Sequence, residues 1–236
     1  VTVRHVRPIA ACLIAFAAGS LPAGADDAEA STDAAQLMQR VAKTYAESTR
    51  GILGVRSQSL LVIKAPVFGR KIRNDGWFVF ENGTLSKSNQ TRDPRQPPLR
   101  DPFRKEYLSD YSFSFAACTD CAPGVVAVAF SSRFKDVEHA SGTIVVDPAT
   151  ALIITETEKP YKLPWPTQDG ALVATWGSAG GGWFPKTISG SFVGRIGPFV
   201  GHAYYAQTLT AYSRFPDVDD AAKSLASVAL PSTVNY

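Results

Sequence analysis

The chain has 236 residues, 45% of them hydrophobic, with 24 Lys and Arg against 21 Asp and Glu. That is enough apolar material for one domain with a sizeable core, and too even a charge balance for a nucleic-acid partner. Two of the basic residues, Arg4 and Arg7, precede the first acid at Asp26, so the small positive excess belongs largely to the N-terminus.

Residues 1–25 read as a secretory signal peptide. Arg4, His5 and Arg7 form a basic start, residues 9–18 an apolar run, and Ala23-Gly24-Ala25 a small-x-small cleavage pattern just before Asp26-Asp27. The apolar run is about half of the ~20 residues a membrane span needs. Ile9-Ala10-Ala11-Cys12 has the shape of a lipid-attachment box, but the apolar core follows this cysteine instead of preceding it. Export is therefore expected, with the bacterial periplasm as destination, and residues 26–33 are expected to be a flexible leader.

From 34 onward Leu37, Met38, Val41, Ala42 and Tyr45 recur at helical spacing, with Gln39, Arg40, Lys43 and Glu47 opposite. This predicts an amphipathic helix, capped by Thr32 or Asp33 and ended by Gly51 and Gly54. Strands then follow almost to the end. Segment 55–64 is the first. Segments 77–81 and 85–88 flank Asn82-Gly83, a strong hairpin signal because both residues tolerate positive φ. Residues 90–103 hold four prolines and form a loop; 104–110 is a candidate short helix. Strands at 111–116 and 125–134 flank a turn containing Cys118 and Cys121. Pairs at 143–147/151–157 and 171–176/183–192 follow, then a long strand at 202–214 and a helix at 217–226 with acids in its first turn. Trp77, Phe78, Val79 and Phe80 are apolar on both faces of their strand, so both sides of the sheet need cover there.

No catalytic constellation emerges. His139 reads as a solvated loop residue and His202 as a strand residue. Glu156 and Glu158 share a strand face and read as solvated. Gly180-Gly181-Gly182 lacks the lysine and the strand-to-helix setting of a phosphate loop and reads as a hairpin turn. After signal removal Cys118 and Cys121 are the remaining cysteines; they suit a disulfide across a tight turn, with free thiols or a redox pair as the alternatives. No metal and no cofactor is expected, and the chain is not expected to be an enzyme. The aromatic-rich strands fit either a packed core or an apolar ligand cavity.

Four stretches together resemble the LolA/LolB-like lipoprotein-localisation-factor superfamily, which includes RseB-type sensor domains. They are AQLMQRVAKTYAESTRGILGVRSQSLLV, DGWFVFENG, GTIVVDPATALIITE, and GGGWFPKTISGSF with HAYYAQTLTAYSRF. The resemblance implies an α+β fold, mainly antiparallel β: an unclosed, strongly curved β-barrel over residues 34–226, with the N-terminal helix covering an apolar cavity and 227–236 as a tail. It implies an exported, non-catalytic protein that holds acyl chains of a lipid or lipoprotein and touches membranes only peripherally or transiently. A periplasmic regulator that senses lipoproteins or binds an envelope protein is the alternative. On that fold Val128, Phe130, Ile144 and Val146 are expected to line the cavity, with Leu37, Met38 and Val41 over its mouth.

Overall fold

The computed structural model describes residues 25–66, 68–90, 98–119 and 121–227. The expected signal peptide, most of the proline-rich segment and the C-terminal tail lie outside the described residues.

Helix α1 spans Ala25–Ser48. Ten strands follow: β1 (Ile52–Ala65), β2 (Phe68–Glu81), β3 (Thr84–Ser88), β4 (Tyr111–Ala116), β5 (Val126–Ser132), β6 (Ala140–Asp147), β7 (Leu152–Pro160), β8 (Thr167–Ala179), β9 (Gly182–Ile196) and β10 (Phe199–Phe215). Helix α2 spans Val218–Ser227. The strands form one sheet in the order β3-β2-β1-β10-β9-β8-β7-β6-β5-β4, and every described pairing is antiparallel. β3 and β4 are its two edges, so the barrel stays unclosed, as the resemblance implies. β10 leaves the end of the chain to pair with β1 near its start, which places the two termini of the strand series at the centre of the sheet.

The hairpins form where turn chemistry dictates. Asn82 and Gly83 have φ of 48° and 79°, and the Gly51 amide donates to Asn82 Oδ1 at 2.8 Å. At the β6–β7 turn the Ala149 amide and the Thr150 hydroxyl donate to the Asp147 carboxylate at 2.9 and 2.7 Å.

The structure differs from the sequence reading in three places. Residues 26–33, read from the sequence as a flexible leader, lie within the span of α1. Residues 68–76 are strand although Gly69, Asn74, Asp75 and Gly76 have poor strand propensity, because the ladder to β1 runs unbroken from Ala65↔Phe68 to Ile52↔Glu81. The short helix expected at 104–110 contracts to one 3-10 turn at Leu108–Asp110.

The two helices take opposite faces. α1 lies on the inner face, where Leu37, Met38 and Val41 pack against Phe113, Val128, Phe130, Ile144, Val146 and Ile153. α2 covers the outer face of β2 and β1 through Ala221, Ala222 and Leu225 on Trp77 and Val79. Gly54 permits that approach, since a Cβ there would stand 2.8 Å from Leu225 Cδ1 and 2.6 Å from Phe215 Cε2. The doubly apolar run 77–80 is thus explained: Trp77 and Val79 meet α2, and Phe78 and Phe80 face inward.

Candidate functional site

In an antiparallel sheet, residues directly opposite each other project from one face. On β1 the odd-numbered residues face inward, from Leu53 to Ala65. Their β2 partners are Phe80, Phe78, Gly76, Asn74, Ile72, Arg70 and Phe68. On the other side Ser57, Ser59, Leu61 and Ile63 pair with Leu209, Gln207, Tyr205 and Ala203 of β10. This half of the inner face, around β2, β1, β10 and β9, is the half that α1 does not fill.

Two apolar cavities occupy it. The first, of about 450 Å³, is lined by Leu53, Val55, Phe78, Phe80, Ile188 and Leu209, with Tyr45 and Thr49 from the end of α1. The stacked Phe184 and Tyr212 rings, 4.8 Å apart, close one side. The second, of about 440 Å³, lies at the far end of the same strands and is lined by Leu61, Ile63, Phe68, Phe192, Ile196 and Phe199. Gly170 makes room for Phe192, whose Cδ1 would lie 2.1 Å from a Cβ at that position.

Between the cavities runs a polar belt. Tyr205 Oη donates to Gln207 Oε1 at 2.9 Å, and Gln207 Nε2 donates to Ser57 Oγ at 2.9 Å. Ser57 and Ser59 are both buried. A ligand on this face therefore meets apolar wall, hydrogen-bonding belt, then apolar wall.

The seven residues named from the sequence are brought together, but as packed core. Leu37, Met38, Val41, Val128, Phe130, Ile144 and Val146 are all at most 6% exposed and form one cluster beneath α1. Neither large cavity touches any of them. The helix fills its half of the sheet directly instead of bridging a void. An aromatic partition separates core from cavity: Tyr45, Phe103 and Trp176 meet edge to face, with centroids 4.9 Å (Tyr45–Phe103) and 5.3 Å (Phe103–Trp176) apart. Tyr45 belongs to both sides, and its burial pushes the phenol pKa up.

The cavity residues on β1, β9 and β10 were legible as strands but not as a site. The available signal was the even run Phe78/Phe80 opposite Leu53/Val55, which requires the β1–β2 register.

Two polar readings are also corrected. His139 is not a solvated loop residue: it is 2% exposed, with Nδ1 2.7 Å from Asp136 Oδ1 and Nε2 3.6 Å from Asp110 Oδ2. Together with Arg100–Glu138 at 2.7 Å it fastens the segment before β4. Glu156 is buried and Glu158 half-buried, so neither is a freely solvated carboxylate. They face inward from β7, opposite Ala174 and Leu172, and burial followed by mutual repulsion and Asp101 raises Glu156. Glu158 is pushed up to about 8, again first by burial. Among the described residues no three His, Cys, Asp or Glu side chains form a set that could hold a metal ion. Cys118 and Cys121 are disulfide-bonded, with Cα atoms 5.5 Å apart.

The class these features define is an open antiparallel half-barrel, one half of its inner face sealed by a helix and the other half carrying apolar cavities. No protein-family model and no curated protein matches the chain. Among solved structures it is similar to a LolA superfamily protein from Nitrosomonas europaea, at 10% identity and TM-score 0.41, covering 78% of this chain and 96% of that one. It is also similar to a DUF1329 family protein from Desulfovibrio piger, at 8% identity and TM-score 0.43, covering 81% and 96%. A chain of the Pseudomonas aeruginosa MucA/MucB complex gives 10% identity and TM-score 0.27, covering 75% and 94%.

Proposed function

We propose that this is an exported, non-catalytic binding protein that holds an acyl chain of a lipid or lipoprotein on the uncovered half of its inner face. The observation that carries the reading is the first cavity, about 450 Å³ and walled by Leu53, Val55, Phe78, Phe80, Ile188 and Leu209. Its size falls in the range of small-ligand sites, and its lining is apolar with few polar groups. Ten methylenes buried there contribute roughly 8 kcal/mol before association costs. The polar belt at Ser57, Gln207 and Tyr205 offers hydrogen bonds to the polar end of such a chain. Export is supported by the signal pattern in residues 1–25 and by the Cys118–Cys121 disulfide, which suits an oxidising compartment.

The test is titration with a fluorescent fatty-acid probe. Wild type should bind it saturably. Phe78→Glu and Ile188→Glu place a carboxylate against the chain, and each should weaken binding at least tenfold while keeping the circular-dichroism spectrum. If wild type fails to bind the probe, or a folded variant binds it equally well, the acyl-chain reading falls and the envelope-partner reading replaces it.

A further inference from the structure

We propose that the end of the sheet holding the second cavity is a docking edge for an anionic lipid bilayer. Three neighbouring connections meet there: the β1–β2 turn, the β7–β8 loop and the β9–β10 turn. The Arg195 amide donates to the Pro166 carbonyl at 3.0 Å, which ties the second to the third. All three contribute to the wall of the cavity.

These tips expose large apolar side chains. Trp165 is 81% exposed, Phe68 51%, Ile196 49% and Phe199 45%. Single exposed apolar residues are ordinary, but several on adjoining tips, at the mouth of an apolar cavity, form a patch with a purpose. Trp and Phe at loop tips suit the headgroup region, where an amphipathic ring is half buried.

Charge selects the partner. Segments 60–72, 161–168 and 190–206 contain Lys64, Arg70, Lys71, Lys162 and Arg195, and not one Asp or Glu. All five are exposed. No described carboxylate pairs with any of them; Lys64 Nζ instead lies 5.5 Å from the Tyr204 ring centroid. The nearest acid in sequence to the second loop, Asp169, is already held by Lys159 at 2.8 Å. A cationic collar around apolar tips complements a surface with negative headgroups and an apolar interior. It does not complement a second copy of itself, which would oppose cation to cation. The docked edge would place the second cavity at the headgroup level, where an acyl chain can pass between bilayer and protein. That last role rests on the acyl-chain reading; the docking itself does not.

The experiment is co-sedimentation of the purified protein with vesicles of equal parts phosphatidylcholine and phosphatidylglycerol, against vesicles of phosphatidylcholine alone. Binding is expected to the anionic vesicles, weakening with added salt. Arg70→Ala, Lys71→Ala and Lys162→Ala combined should lower partitioning about a hundredfold, at about fivefold per cation removed. Tryptophan emission should shift to the blue on docking, and Trp165→Phe should abolish that shift. Phe78→Glu, which tests the first cavity, should still sediment, so the two proposals fail separately. Equal binding to neutral vesicles, no sedimentation, or unchanged partitioning of the triple variant overturns the docking edge. So does self-association by sedimentation velocity that Phe199→Ser removes, since the patch would then be a contact between copies.

Discussion

Stability should fall as pH rises from about 5 to about 8.5, because the protein buries carboxyl groups it cannot pair. Glu156 and Glu158 lie on the inner face of β7, each with an Oε1 atom that finds no hydrogen-bond partner. Asp101 stands close by and is raised to about 6, by burial first and against the opposing pull of Arg104. Glu158 is raised from 4.5 to about 8. The folded state therefore holds protons that the unfolded state releases. For Glu158 this stabilisation is complete below 4.5, declines as pH rises, and is gone above about 8. At 1.36 kcal/mol per pKa unit the full shift of Glu158 corresponds to roughly 5 kcal/mol. Glu158 is partly open to solvent, which screens some of this, so a loss of about 2–3 kcal/mol is expected. Urea unfolding followed by circular dichroism, at several pH values across this window, measures it. Glu158→Gln should match wild type near pH 5 and exceed it by about 2 kcal/mol near pH 8.5. A wild-type stability that is flat or rising over the window, or a Gln variant that tracks wild type throughout, refutes the reasoning.

Val146→Glu should unfold the protein instead of creating a folded non-binder, because Val146 is fully buried beneath α1 and the new carboxylate has no partner there. Thermal melts should show loss of the cooperative transition; a folded variant with altered probe binding would mean that the cluster under α1 opens. Alkylation of denatured, unreduced protein should label neither Cys118 nor Cys121, and prior reduction should label both; quantitative labelling without reductant contradicts the disulfide.

Local rules in the sequence reach a long way here. The Asn82-Gly83 and Asp147–Thr150 turns follow from side chains that bond their own backbone, and the alternating strands between them follow from period-two burial. The amphipathic stripe of Leu37, Met38, Val41 and Tyr45 determines both a helix and its apolar face. Even the need to cover both sides of the sheet near Trp77 is written in an unbroken apolar run.

What the stripe cannot say is whether it meets a void or a wall. Leu37 over a cavity and Leu37 in a core have the same sequence. The outcome depends on how closely α1 approaches β5 and β6, which is a property of packing across the fold. The burial of His139 and Glu156 was hidden for the same reason: their covers, Asp110 and the segment around Asp101, come from elsewhere in the chain. Strand identity was likewise local except at 68–76, where only the partner strand overrides weak propensity.

The sequence by itself determined the order of helix, strands and turns, the inward and outward alternation, and the mainly antiparallel class, because each rests on contacts between residues near in the chain. The tertiary structure alone decided that β10 closes onto β1, and so which residues share the uncovered inner face. Leu53, Phe78, Ile188 and Leu209 are far apart in the chain and carry no common motif. They become one cavity wall only when the β2-β1-β10-β9 register sets them side by side.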